Sequence, residues 1–224
     1  MGVGHVALAL GASGAAKRVN VGWLVFAALL ADFLLGVFAK LGLEQAHVPA
    51  DYGSRHYLTF TFPYSHGLIV LVLWGLLLGS LISNFQEVER VRVFFVVAML
   101  VVSHFLLDGL VHVVGLPIAG EGSVKFGLGL WNHLQYELSL ETVMALFGFL
   151  LYLRVAKRSP LWCRFGILFT VGLIAVATWA QLFVNEPPLP SQLIFGWIIG
   201  PVLFGAVFYA LDRKRQQSAL MGTS

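Results

Sequence analysis

The chain of 224 residues is 58% hydrophobic and only 11% charged, with a formal net charge of +3. A soluble domain usually carries about 25% charged residues, so this chain has too few charges to cover a water-exposed globular surface. The small net charge and the spread of basic residues over several connections argue against a nucleic-acid surface. The single cysteine, Cys163, excludes an intramolecular disulfide.

The expected fold is all-α: a polytopic transmembrane helical bundle in which residues 1–224 form one domain. A spanning helix needs about 20 mainly apolar residues. Six stretches qualify, at about 20–43, 64–85, 91–115, 131–154, 162–184 and 191–212. A shorter segment at 3–16 precedes them and has the length to cross only part of a bilayer. Lys17 and Arg18 follow its apolar run instead of preceding it, so we expect a retained helix and not a cleaved signal peptide.

Lysine and arginine residues cluster in four of the connections and predict the orientation of the chain. The clusters are Lys17 and Arg18; Arg90 and Arg92; Arg154, Lys157, Arg158 and Arg164; and Arg213, Lys214 and Arg215. With seven segments all four clusters fall on one side, which the positive-inside rule assigns to the cytoplasm. The N-terminus and the loops 44–63 and 116–130 are therefore predicted to lie outside, and the C-terminus in the cytoplasm.

Ionisable side chains within the predicted spans collect in the outward half of the bundle. They are His5, Asp32, His66, a stripe of His104, Asp108 and His112, and a second stripe of His133, Glu137 and Glu141. Each such group costs about 2.5–3.5 kcal/mol on insertion scales, so the set requires water, a metal ion or mutual pairing. We therefore predict one outward-facing polar cavity, with a purely structural hydrogen-bond network as the alternative.

The two stripes predict how the neighbouring spans face each other and what they bind. If the spans are antiparallel neighbours, Asp108 lies level with Glu137, and His104 with Glu141. Imidazoles and carboxylates are typical ligands of first-row metal ions, and we expect Zn²⁺ with an open position for water. In a continuous helix His104 and His112 lie about 12 Å apart along the axis, too far to share one ion easily. The expectation is one ion near Asp108 with a single histidine neighbour, completed from other helices, or two ions.

The dipeptide Ser-His occurs twice, in "PYSHGL" and "VVSHFL". A serine hydroxyl at this position can orient a neighbouring ligand. Neither Ser65 nor Ser103 is expected to be a nucleophile, because no Gly-x-Ser-x-Gly elbow surrounds them.

The segments "PYSHGL", "SHFLLDGLVH" and "GLGLWN", followed by Glu141, resemble a family of small bacterial multi-pass inner-membrane proteins described as membrane-bound metal-dependent hydrolases. The earlier "GHVALAL", "AAKRV", "LLADFLLG" and "LGLE" are also similar, so the resemblance covers about residues 4–155. It implies a metal site formed by His5, Asp32, His66, His104 and Asp108, with His112 and Glu141 next. Gly67 stands where that family's pattern has serine, and "VVGLPI" lacks the expected aspartate.

The leading functional expectation is metal-assisted hydrolysis, with Glu141 or Glu137 as the general base. A site inside the bilayer suggests a lipid or lipid-linked substrate, and the sequence leaves the oligomeric state open. The alternatives are a transporter or channel for metal ions or protons, and a structural membrane protein. A conduit needs polar groups through the whole membrane thickness, and the inner half of these spans has few.

Overall fold

The computed structural model describes residues 2–157 and 159–221, and helices account for most of this part of the chain. In chain order its α-helices are α1 (Gly2–Ala12), α2 (Val21–Ala28), α3 (Leu30–Lys40), α4 (Tyr52–Arg55), α5 (Leu68–Asn84), α6 (Arg90–Val111), α7 (Leu134–Val155), α8 (Leu161–Trp179) and α9 (Pro190–Met221). Short 3₁₀ helices at Leu130–His133 and Ala180–Phe183 precede α7 and follow α8. The all-α class is confirmed.

Four helical stretches in the described residues are long and apolar enough to cross a membrane: Arg90–Val111, Leu130–Val155, Leu161–Phe183 and Pro190–Arg213. Helices α2 and α3 together form a fifth candidate, but they are bent by 53° at Leu29. The single helix expected over 20–43 is therefore two helices. Helix α5 has 17 residues and is shorter than the span expected at 64–85. By length, the described helices give four or five full spans, whereas the sequence predicts six. Several of these helices are apolar, which indicates a multi-pass membrane protein.

The two long loops form short antiparallel strand pairs that the sequence did not predict. Strand β1 (Gln45–His47) pairs with β2 (Thr59–Thr61), with Ala46 opposite Phe60. Strand β3 (Leu116–Pro117) pairs with β4 (Lys125–Phe126). The Ile69 amide at the start of α5 donates to the Ile118 carbonyl, so the second pair lies against that end of α5.

Glycines allow the helices to pack backbone against backbone. A Cβ added at Gly148 in α7 would lie 2.2 Å from the carbonyl oxygen of Ala7 in α1. A Cβ at Gly75 in α5 would lie 2.8 Å from the carbonyl oxygen of Ala98 in α6. Small residues at such contacts are typical of helix packing in membranes.

Helix α1 is short but lies inside the bundle. Its residues Val3, Val6 and Leu10 are at most 1% exposed. It packs most extensively on α7 and also contacts α6. The sequence predicts that α6 and α7 face each other directly, but in the structure α1 lies between them.

Basic residues of three of the predicted clusters lie at one end of the bundle, whereas Lys40, Arg55 and Lys125 belong to none of the clusters. Helix α6 begins at Arg90 and carries His104 and Asp108 toward its other end. Helix α1 runs away from that histidine end, and Gly14 after it lies close to Val155 at the end of α7. This arrangement places Lys17, Arg18 and Arg154 at the Arg90 end. Arg158 and the side chains of Lys214 and Arg215 lie outside the described residues.

The contact between α1 and α7 predicts that Gly148→Ala destabilises the fold. A methyl group there meets backbone, which cannot move aside as a flexible side chain can, so we expect a loss of about 1–3 kcal/mol. The control is Gly172→Ala in α8, where an added Cβ has nothing within 4 Å. This control should be neutral or more stable by up to about 1 kcal/mol, because alanine favours helix. Thermal unfolding in detergent measures both, and equal midpoints for the two variants would contradict the close packing.

Candidate metal centre

The carboxylate of Asp108 is buried among four imidazoles. Its Oδ1 lies 3.1 Å from His5 Nε2. Its Oδ2 lies 3.3 Å from His104 Nε2, 3.4 Å from His112 Nε2 and 3.6 Å from His66 Nε2. The five side chains are at most 8% exposed, so water screens these interactions weakly. Residues from α1, α6 and the segment before α5 thus converge on one carboxylate.

Asp32 in α3 is the sixth member of the cluster. Its Oδ1 lies 3.9 Å from the Nε2 atoms of both His66 and His104. Its side chain is 28% exposed, in contrast to the buried Asp108. The structure therefore brings together all six residues predicted as metal ligands, and Asp32 is the one that is most open to a ligand.

The spacing of the cluster atoms suits a metal ion. Tetrahedral ligands about 2.0–2.1 Å from an ion stand about 3.3 Å from one another. The distances from Asp108 Oδ2 to three Nε2 atoms lie in or just above this range. Two overlapping groups, His5–His104–Asp108 and Asp32–His66–His104, each hold their ligand atoms within 4.8 Å of one another. His104 belongs to both groups, and because its Nδ1 contacts the Ala28 carbonyl, only its Nε2 is available to either group.

The expectation that His104 and His112 do not easily share one ion stays a prediction, because His112 belongs to neither of the two groups. Helix α6 ends at Val111, and His112 has the extended angles φ −60° and ψ 141°. The axial spacing of a continuous helix therefore does not apply to His112. Its ring turns back to the same Asp108 oxygen as His104 does, and it packs against Trp131 with ring centroids 3.9 Å apart.

The break between α2 and α3 fixes the ring of His104. Helix α2 ends at Ala28, whose carbonyl belongs to the helix terminus and lacks the regular intrahelical donor. His104 Nδ1 lies 2.8 Å from this oxygen. Because a carbonyl oxygen only accepts, Nδ1 carries a proton, and Nε2 is the ring nitrogen that can bind an ion. That Nε2 is buried without a hydrogen-bond partner among the described residues, which is the arrangement of a metal-ligating histidine.

Glu44 is a buried residue near the site that sequence reasoning missed. Its side chain is held by the amides of Tyr64 and Ser65 and by the Ser65 hydroxyl, which in turn contacts His66 Nδ1. Burial raises the pKa of Glu44, and the hydrogen bonds from Ser65 and Tyr64 oppose that shift. The sequence signal was weak, because Glu44 opens a polar loop in which an acidic residue is ordinary.

Glu141 and Glu137 are buried but do not belong to the lining of the cavity beside the cluster. Glu141 Oε2 accepts hydrogen bonds from the Val3 and Gly4 amides at 2.9 and 3.0 Å, and Glu137 neighbours Glu141. Glu141 does not face His104 directly, because α1 lies between the two helices and Glu141 holds its first turn. A catalytic role for either glutamate stays a prediction.

A cavity of about 290 Å³ lies beside the cluster. Asp32, His66, Asp108 and His112 contribute to its wall, opposite Gly196 and Gly200 of α9. A second cavity of about 610 Å³ lies among the connections at the histidine end of the bundle. The two cavities share Phe60, Trp131 and Trp197 in their linings, so these aromatic residues lie between them.

Comparison with known proteins identifies no relative of this chain. No protein-family model matches it, and no curated protein or solved structure matches it either. The family resemblance of its motifs therefore stays a prediction, and the function has to be argued from the geometry.

The contacts of Glu141 predict that Glu141→Ala destabilises the fold. The substitution leaves two buried amides without an acceptor, and each unsatisfied donor costs about 1–3 kcal/mol. Glu141→Gln keeps an oxygen acceptor and should retain most of the stability. Thermal unfolding in detergent compares the two, and a Glu141→Ala variant as stable as wild type would exclude a role in holding α1.

Proposed function

We propose that this protein is a membrane-embedded, metal-dependent hydrolase whose histidine–aspartate cluster holds a divalent ion, Zn²⁺ in the first instance. The observation that carries the proposal is the buried Nε2 of His104, which makes no hydrogen bond to a described residue but lies 3.3 Å from Asp108 Oδ2, among three other imidazole Nε2 atoms and two carboxylates. A buried polar atom without a partner is costly, and a metal ion would satisfy it. Nitrogen and oxygen donors in this mixture suit Zn²⁺.

The residues of the cluster divide into buried ligands and one open carboxylate. Asp108, His104, His66 and His112 are nearly inaccessible, and their role is to hold the ion and exclude bulk water. When bound, the ion would supply a water activated for attack near neutral pH. Asp32 faces the cavity and is placed to accept a proton there. The geometry thus favours Asp32 as general base over Glu141 and Glu137.

The setting of the cavity supports a lipid or lipid-linked substrate. Its wall combines the polar cluster with aromatic side chains and with Gly196 and Gly200 of α9. An amphipathic molecule would place its reactive group at the cluster and its apolar part against that wall. We place the site at the outer end of a seven-segment bundle of six full spans and a short first helix, in a bacterial inner membrane, with the N-terminus outside and the C-terminus cytoplasmic. The basic residues at the opposite end support this orientation.

An apolar layer below the cluster argues against a conduit for ions or protons. Val6 and Leu10 of α1, Leu24 of α2, and Val97 and Val101 of α6 are at most 1% exposed and lie on the Arg90 side of the cluster. A conduit needs polar or hydrated groups across the whole thickness. The layer therefore favours a dead-end catalytic cavity over a transport path.

Metal analysis tests the proposal directly. We expect wild-type protein purified in detergent to hold Zn²⁺ in stoichiometric amount, and Asp108→Ala and His104→Ala to lose it, because each removes a central ligand. The matched control is His133→Ala: this histidine is exposed and its ring contacts Tyr136. Elemental analysis by mass spectrometry measures the content. A folded wild type that binds no divalent ion would overturn the proposal, and metal uptake by reconstituted vesicles would favour transport.

The position of Asp32 predicts a separation of binding from catalysis. Asp32→Asn should keep the metal content, since four imidazoles and Asp108 remain, and should lower hydrolysis by about 10²–10⁴-fold through loss of the base. The probes are 4-nitrophenyl butyrate and bis(4-nitrophenyl) phosphate in mixed micelles. Glu137→Gln is the comparison. If Glu137→Gln abolishes turnover and Asp32→Asn does not, the base is Glu137.

A further inference from the structure

We propose that Glu44 is a positioning residue that holds His66 in its metal-binding form through the hydroxyl of Ser65. This inference rests on the proposed metal site and concerns a residue outside the predicted spans. Glu44 is 2% exposed and lies 21 residues before Ser65 in the chain. Its two carboxylate oxygens have separate partners, and those partners determine how the proton on the His66 ring is placed.

The first oxygen of Glu44 holds the backbone. Oε1 accepts hydrogen bonds from the Tyr64 amide at 2.8 Å and from the Ser65 amide at 2.9 Å. These contacts tie the loop after α3 to the segment just before α5. A second role is left for Oε2, which lies 2.6 Å from Ser65 Oγ.

The hydrogen bonds allow one direction of donation. A carboxylate with two amide donors is an acceptor, so the Ser65 hydroxyl donates its only proton to Glu44 Oε2. Ser65 Oγ also lies 2.7 Å from His66 Nδ1, so there it accepts, and Nδ1 carries the ring proton. His66 Nε2 then keeps its lone pair toward Asp108 and Asp32. The carboxylate, hydroxyl and imidazole together select the tautomer that can bind a metal ion.

The second Ser-His pair has no such arrangement. The Ser103 hydroxyl donates to the Leu100 carbonyl in its own helix at 2.7 Å. His104 takes its Nδ1 partner from Ala28 instead. The Nδ1 atoms of both His66 and His104 therefore have a fixed acceptor, but only that of His66 is the hydroxyl of the preceding serine. Ser103→Ala is therefore a matched control for Ser65→Ala.

Glu44→Gln gives a specific prediction. The glutamine oxygen can replace Oε1 for the two amides, and its NH₂ group then faces Ser65 Oγ as a donor. Ser65 Oγ then accepts from the Gln NH₂ group, and of these two neighbours only His66 Nδ1 can accept the proton of the Ser65 hydroxyl. The ring proton moves to Nε2, where it blocks metal binding. If Glu44 only held the backbone of the loop, Glu44→Gln would lower the stability of the metal-free protein and leave the Zn²⁺ affinity unchanged.

The experiment is a double-mutant cycle on Zn²⁺ affinity, measured in detergent by competition with a chromophoric chelator. Glu44→Gln should weaken Zn²⁺ binding by about 10–100-fold, the usual effect of losing a partner of a ligating histidine. Ser65→Ala should weaken it less, because no group then forces the wrong tautomer. In the Ser65→Ala background Glu44→Gln should have no further effect. The Co²⁺ visible spectrum should change in Glu44→Gln and not in Ser103→Ala.

The outcomes separate this inference from the proposed function. Two results would overturn the positioning role and leave the metal site standing. In the first, Glu44→Gln lowers the Zn²⁺ affinity equally in the wild-type and Ser65→Ala backgrounds. In the second, Glu44→Gln binds Zn²⁺ with wild-type affinity while His66→Ala binds it weakly. Wild-type protein that binds no Zn²⁺ overturns both. Melting temperatures of the metal-free variants within a few degrees of wild type confirm that the affinities compare folded proteins.

Discussion

The structure is organised around one buried carboxylate, Asp108, that cannot be left unpaired. A carboxylate removed from water costs several kcal/mol unless charges or hydrogen bonds replace its hydration. Four imidazoles surround it, from three separate parts of the chain: α1, the segment before α5, and α6 with His112, the residue that follows it. Of these, His5 Nε2 lies within hydrogen-bond distance of Oδ1, at 3.1 Å. The position of each of these elements is therefore coupled to the others through a single side chain. This explains why a short helix, α1, is buried deeply enough to deliver His5.

Each imidazole that faces Asp108 needs its ring oriented, and the fold supplies the orienting groups at some cost to regular structure. The bend between α2 and α3 leaves the Ala28 carbonyl for His104 and places Asp32 one turn later at the cavity. The loop after α3 returns to supply Glu44 beneath Ser65 and His66. Glu141 of α7 accepts hydrogen bonds from the first turn of α1 and so fixes the position of His5 along the bundle. These groups lie one step away from the cluster, but the cluster geometry depends on them as much as on its own members.

The sequence predicted the membership of the cluster better than its geometry. His5, Asp32, His66, His104, Asp108 and His112 could be found because ionisable groups in apolar segments are expensive and because all of them fell in one half of the predicted bundle. The bend at Leu29 was not predictable, since 20–43 contains no proline and reads as one apolar helix. The end of α6 at Val111, which lets the His112 ring reach the same Asp108 oxygen as His104, was not predicted, because 91–115 reads as one apolar helix. Glu44 and the insertion of α1 between α6 and α7 depend on tertiary contacts that no local pattern records.

The distribution of exposure within the cluster bears on what it is for. A network that served only to fix helix packing would gain most from burying every member and pairing every polar atom. Here His104 Nε2 and His5 Nδ1 are buried without hydrogen-bond partners among the described residues, while Asp32 is partly open to a cavity with polar and aromatic walls. Directly below the cluster lies a layer of buried apolar side chains. One partly accessible carboxylate beside a cavity and a buried apolar layer below the cluster are the features of a chamber that receives a ligand from one side, and they support the proposed catalytic function over scaffolding or transport.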